Sequence, residues 1–217
     1  MACPDQVARC IESMTKVSDL PVTIKHRIGI DNHDDNEFLK EFVFQVSEAG
    51  AKRFAIHARK AWLKGLNPKQ NRTIPPLEYE KVEKLKKTFP KMIIELNGGL
   101  KTPEDCINAL KTFDGAMVGR AAYSHPMLWR NVDEIIFGET AKNLKRSAII
   151  KQMIPYTENH LQNDGKLWDI CKHTLHLVQG VKGARKWRND LSRQAQKQNA
   201  DLIVLENAAQ QLEDAGL

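Results

Sequence analysis

The sequence predicts an α/β fold over roughly residues 1–140, built from parallel βα units, followed by an all-helical part over 141–217. Three observations carry this expectation. Short apolar runs alternate with helical patterns through the first 138 residues, the signature of parallel strands covered on both faces by helices. After Gly138 no strand candidate of any strength follows, and helical patterns take over. Finally, polar side chains collect at the C-terminal ends of the strand candidates, the edge where parallel βα folds bind ligands.

The elements follow in order. Pro4 is tolerated as a first helical residue, and Val7, Ile11 and Met14 then share one helical face. PVTIKHRI (21–28) is the first strand candidate, and a helix is expected over Glu37 to Glu48, stopped by Gly50. RFAIHAR (53–59) supplies the second strand and opens into a long loop, KAWLKGLNPKQNRTIPP. A charged helix at about 77–88 leads to MIIEL, and Thr102-Pro103-Glu104 starts the next helix. GAMVGR (115–120) is the fourth strand candidate. Beyond it, helices are expected near 145–162, 167–179, 184–197 and 201–214; in the last, Leu202, Leu205, Ala209 and Leu212 form one stripe. The domain boundary therefore falls near 138–145, giving domains 1–140 and 141–217.

Composition narrows the function classes. With 41% hydrophobic and 28% charged residues the chain can bury a core, which excludes a disordered tail. No apolar run reaches the roughly 18 residues that span a bilayer, and MACPDQVARC lacks the basic-then-apolar order of a secretory signal. The four cysteines (Cys3, Cys10, Cys106, Cys171) lack metal-type spacing, and a reduced, cytoplasmic protein is the expectation. Net charge is +6, and eight Lys/Arg fall between Lys166 and Lys197 against Asp169 and Asp190. Such a run suits a polyanion, nucleic acid first, or else a solvated helical face.

The residues at the strand ends are Lys25 and Arg27, His57 and Arg59, Asn97, and Arg120. Each has an ordinary reading. Lys25 could snorkel at a strand end, His57 could be a satisfied structural histidine, and Asn97-Gly98-Gly99 could be a turn. Gly119-Arg120 could be a plain strand-to-helix junction, although glycine backbone at a helix start also suits phosphate. Four such ends in succession are harder to ascribe to chance.

Taken jointly, the words VTIKHRIGID, HARKAWLKGLNPKQNRTIPPL, NGG, DGAMVGRAAY and QGVKGARKWRNDLS resemble the tRNA-dihydrouridine synthases, most of all the branch acting on positions 20 and 20a of the D-loop. The resemblance runs over nearly the whole chain. It implies a flavin-binding TIM-type (β/α)8 barrel followed by a helical domain, with FMN reduced by NADPH and hydride passed to C6 of a flipped-out uridine. A cysteine of the family supplies the proton to C5. Carried onto matching positions, Lys25 and His57 would contact the flavin ring, and Asn97, Gly98, Gly99, Gly119 and Arg120 would hold the ribityl phosphate. Lys69, Arg72, Arg185 and Arg188 fall where this branch meets tRNA, a role suited to arginine forks and lysine charge.

One departure follows. Four strand candidates are present, whereas a closed barrel of this type needs eight, so the C-terminal half of the barrel is expected here. The family's Asn-x-Gly-Cys-Pro-Ser segment has no counterpart. Cys3-Pro4-Asp5 imitates it, but only Met1 and Ala2 precede Cys3, so no catalytic residue is assigned to this chain. The expectation is an N-terminally truncated form, inactive alone and binding FMN weakly. A tRNA-binding remnant, or one half of a split enzyme that pairs with a separate half or with itself, is the alternative.

Overall fold

The computed structural model describes residues 1–217. Helix α1 (Pro4–Val17) opens on Pro4, whose fixed φ suits the first turn, and it buries Ile11. Strand β1 (Thr23–Arg27) leads to α2 (Asn36–Glu48), capped by the Asp35 carboxylate, which accepts from the Phe38 N–H at 2.7 Å. Then follow β2 (Arg53–His57), α3 (Tyr79–Thr88) and β3 (Ile93–Asn97). Helix α4 (Pro103–Leu110) begins with a reciprocal cap in which Thr102 accepts from the Asp105 N–H and the Asp105 carboxylate accepts from the Thr102 N–H. Strand β4 (Gly115–Met117) completes a four-stranded, all-parallel sheet in the order β1-β2-β3-β4.

Register divides the strands into two faces. Ile24, Phe54 and Ile94 align in one row, and His26, Ile56, Leu96 and Ala116 in another. These rows face the helices, where Phe54, Ile56 and Ile94 are fully buried with Leu39, Phe42, Val43 and Val46 of α2 and Val82 of α3. The alternate positions form Lys25, Ala55, Glu95 and Gly115, then Arg27, His57, Asn97 and Met117. Successive side chains point to opposite faces, so burying one set necessarily collects the other on the opposite side.

The first compact unit ends at Gly119, and the second runs from Arg120 to Leu217. The second comprises α5 (Arg120–Ser124), α6 (Val132–Phe137), α7 (Arg146–Gln162), α8 (Leu167–Thr174), α9 (Ala184–Ala195) and α10 (Leu202–Asp214). Its core is Ile150, Leu167, Cys171, Trp187, Leu191, Leu205 and Leu212 with their neighbours. The indole N–H of buried Trp187 donates to Ala208 O at 3.0 Å, which offsets the cost of taking that polar group out of water. The stretch expected as one helix over 167–179 is α8 followed by a tighter 3₁₀ turn, Leu175–Val178. No helix of the protein is long and apolar enough to cross a membrane.

Candidate functional site

At the C-terminal end of the sheet, Arg27, His57 and Asn97 stand side by side in register, with Lys25 two residues below Arg27 on the same face. Asn97 is buried, and its side-chain amide donates to Met117 O at 2.6 Å, tying the ends of β3 and β4 together. Gly98 and Gly99 follow at φ of +102° and +79°, a region that L side chains rarely adopt. Their lack of a Cβ is also a packing requirement. A Cβ on Gly98 would stand 3.1 Å from the His57 ring and 3.2 Å from Leu77, and one on Gly99 would collide with the Tyr79 hydroxyl. That hydroxyl donates to Gly98 O at 2.8 Å. The glycine pair therefore lets α3 and the β2 end close on the β3 end.

Electrostatics single out the same edge. Burial lowers the Lys25 ammonium below its ordinary range, and the neighbouring Arg27 lowers it further. Arg27 is itself lowered by burial and then by Arg59 and Arg72. Cations crowded in this way favour an anion arriving from solution, because each added negative charge relieves mutual repulsion. A phosphate or an anionic ring fits that requirement. Arg27 and Arg59 stand out at their strand ends in the sequence, but only the register and the folded loop reveal that they share one field with Lys25 and Arg72.

The loop after β2 is built rather than slack. Arg27 Nη1 donates to Asn71 O at 2.9 Å and Lys60 O at 3.2 Å. The Asn71 side chain accepts from Trp62 N and donates to Trp62 O, both at 2.8 Å. Lys60 pairs with Asp34 at 2.7 Å and lies 4.3 Å from the Trp62 ring centroid. Asp31 N donates to Ala61 O, and Ala61 N to Gly29 O, so the loops after β1 and β2 are stitched together. On this scaffold Lys69 precedes the 3₁₀ turn Gln70–Arg72 and Arg72 ends it, and both are exposed.

Lys25, His57, Asn97, Gly98, Gly99, Lys69 and Arg72 all belong to the first unit. Gly119 is its last residue, exposed, and Arg120, also exposed, is the first of the second unit. Arg185 and Arg188 lie on α9; Arg185 is exposed, and Arg188 is half-buried beside the face that buries Ala184, Trp187, Leu191 and Ala195. Cys3 is exposed at the start of α1, and Cys10 is exposed on that helix. Cys106 and Cys171 are buried; burial raises both thiols, Cys171 to about 11, so neither ionises readily near neutrality.

Against known proteins, residues 1–214 match the family model described as dihydrouridine synthase (Dus). Three relatives are each described as tRNA-dihydrouridine(20/20a) synthase. The Shewanella oneidensis protein is 46% identical over 213 residues, covering 98% of this chain and 64% of its own length. The Synechocystis protein is 47% identical over 210 residues, 97% of this chain and 63% of its own length. The Vibrio cholerae protein is 46% identical over 209 residues, 96% of this chain and 64% of its own length. The chain therefore spans a little under two thirds of the length of the relatives it matches.

Proposed function

Because the chain belongs to the dihydrouridine synthase family, we propose that it serves the reduction of uridine to 5,6-dihydrouridine in the D-loop of tRNA, at positions 20 and 20a. FMN is the proposed cofactor, NADPH the reductant and the cytoplasm the compartment. The observation that carries this reading is the row Arg27–His57–Asn97 above Lys25, all on one face of a parallel sheet and in a field of cations.

In this reading Lys25 and His57 contact the flavin ring, while Asn97, Gly98, Gly99, Gly119 and Arg120 hold the ribityl phosphate. Reduced FMN, when held there, would supply the hydride for uracil C6. Lys25, exposed on the open face, adds positive charge beside the ring. Asn97 is oriented by its bond to Met117 O, and Gly98 holds its place against the His57 ring. Lys69, Arg72, Arg185 and Arg188 take tRNA phosphates and base edges.

The proposal extends to architecture. The four strands are half of a TIM-type (β/α)8 barrel, residues 1–140, and residues 141–217 are a helical tRNA-binding domain. Completing such a barrel takes four further strands, and β1 and β4 each have a neighbour on one side only. None of the four cysteines is the C5 proton donor: two are buried with raised pKa, Cys3 precedes the first turn of α1 and Cys10 lies on that helix. The 217-residue polypeptide alone is therefore expected to hold FMN weakly and to form no dihydrouridine, while still binding tRNA. The open sheet edges favour, as a second reading, one half of a split enzyme or a tRNA-binding module without chemistry.

Three measurements test this. Purified polypeptide should carry little flavin absorbance, and stoichiometric FMN would overturn the half-barrel reading. A dihydrouridine assay on the polypeptide alone should detect no product, and product formed by it alone would overturn the half-barrel reading. Replacing Arg185 and Arg188 by Ala should weaken tRNA binding and make it less salt-dependent, since fewer counterions are released; an unchanged slope removes them from the interface.

A further inference from the structure

Tyr123, at the end of α5, keeps 51% of its surface exposed, yet its ring is held in place. Its hydroxyl lies 2.9 Å from His173 Nδ1. The ring stands edge-to-face to His173, with centroids 5.8 Å apart at 73°, and to His176, 5.1 Å apart at 62°. His173 is exposed in the last turn of α8, and His176 follows three residues later in the 3₁₀ turn. Beneath them Cys171, Thr174, Leu177 and Val178 are buried, so both imidazoles are mounted on the core of the second unit.

A lone surface tyrosine is commonplace, but three rings locked together at an exposed surface are not required by the core below them. Such a cluster offers flat π surface at low entropic cost, because its rotamers are already fixed. It also offers a phenol oxygen and ring nitrogens to meet base edges. Charge decides between the partners that would accept this surface. The cluster belongs to the same unit as Lys166, Lys172, Lys182, Arg185, Lys186, Arg188, Arg193 and Lys197, and His173 and His176 fall within that basic run. Aromatic rings beside a basic stretch are how single-stranded nucleotides are gripped.

We propose that Tyr123, His173 and His176 form a stacking platform for one unpaired base of an RNA. The proposal deepens the reading of residues 141–217, which carry His173 and His176, as tRNA-binding and rests on it for the choice of RNA. The test measures affinity of the full chain for a tRNA transcript across salt concentrations, for wild type and for Y123L, Y123F and Y123W. Losing one stacked base should weaken Y123L about tenfold at every salt concentration, with an unchanged salt slope because no phosphate contact is removed. Y123W should recover most of the loss, and Y123F should fall between, lacking the bond to His173. Thermal unfolding controls for folding. Should Y123L not fold, a 4-thiouridine-substituted transcript cross-linked to wild type, with the adduct located by mass spectrometry, decides instead: an adduct on Tyr123, His173 or His176 supports the platform, and adducts only elsewhere overturn it. If Y123L binds as wild type does while the Arg185/Arg188 double variant flattens the slope, the platform is wrong and the tRNA reading survives. If wild type binds no RNA, both fall.

Discussion

The two faces of the sheet use the same five-residue strands for opposite ends. Toward the helices, Ile24, Phe54, Ile94, His26, Ile56 and Leu96 are packed among the side chains of α2 and α3. On the other side, Lys25, Arg27, Arg53, Glu95, His57 and Asn97 crowd charge and amide groups within one register. The difference teaches where the free energy goes. One face lowers the energy of the fold by burial, and the other holds repelling cations that favour a ligand more than the fold.

The comparison predicts that mutations on the two faces separate stability from binding. Phe54→Ala, on a fully buried ring, should cost about 3–5 kcal/mol in urea unfolding; a loss below about 1 kcal/mol would mean that the helix-facing side is loosely packed. Next comes His26, the one polar member of that face. It lies against Phe42 and Phe54, its Nδ1 donates to Arg27 O at 2.7 Å, and its Nε2 has no partner. Burial lowers its pKa from 6.5 to about 4. The unfolded chain then takes up a proton that the folded chain refuses between those values. Stability should therefore fall as pH drops from about 6.5 to about 4, by on the order of 3 kcal/mol at full effect, and His26→Phe should flatten that part of the profile.

Gly98→Ala probes the boundary between the faces. A side chain at φ +102° pressed against the His57 ring should cost about 1–3 kcal/mol, measurable by thermal unfolding. Smallest in stability is Lys25→Ala. Removing a cation that Arg27 already disfavours should leave the urea midpoint unchanged or slightly raised, while any FMN affinity of the chain, read by flavin fluorescence, should fall. A clear loss of stability would mean that Lys25 serves the fold after all.

Much of this was legible in the residues. The alternation of strands and helices, the helix start at Thr102 and the polar residues Lys25, His57 and Asn97 near or at the strand ends all follow from local patterns. Strand ends were less legible. RFAIHAR stops at His57 because Ala58 N turns to Asn97 O and Arg59 N folds back to His57 O, contacts that depend on the neighbouring strand and a tight turn. The shared field of Arg27, Arg59 and Arg72 depends on a loop folding back over β1, which no periodicity encodes. The Tyr123–His173 contact joins residues fifty positions apart. Such pairings become visible only when the helices have packed.

Gly115 has a consequence beyond its own strand. A Cβ there would stand 2.8 Å from Glu95 Cγ, and Glu95 in turn accepts from Arg53 Nε at 2.7 Å. Size at 115 and acidity at 95 should therefore be inherited together across relatives. A lineage that gains a side chain at the first must shorten the second, and its arginine at 53 is then released to drift.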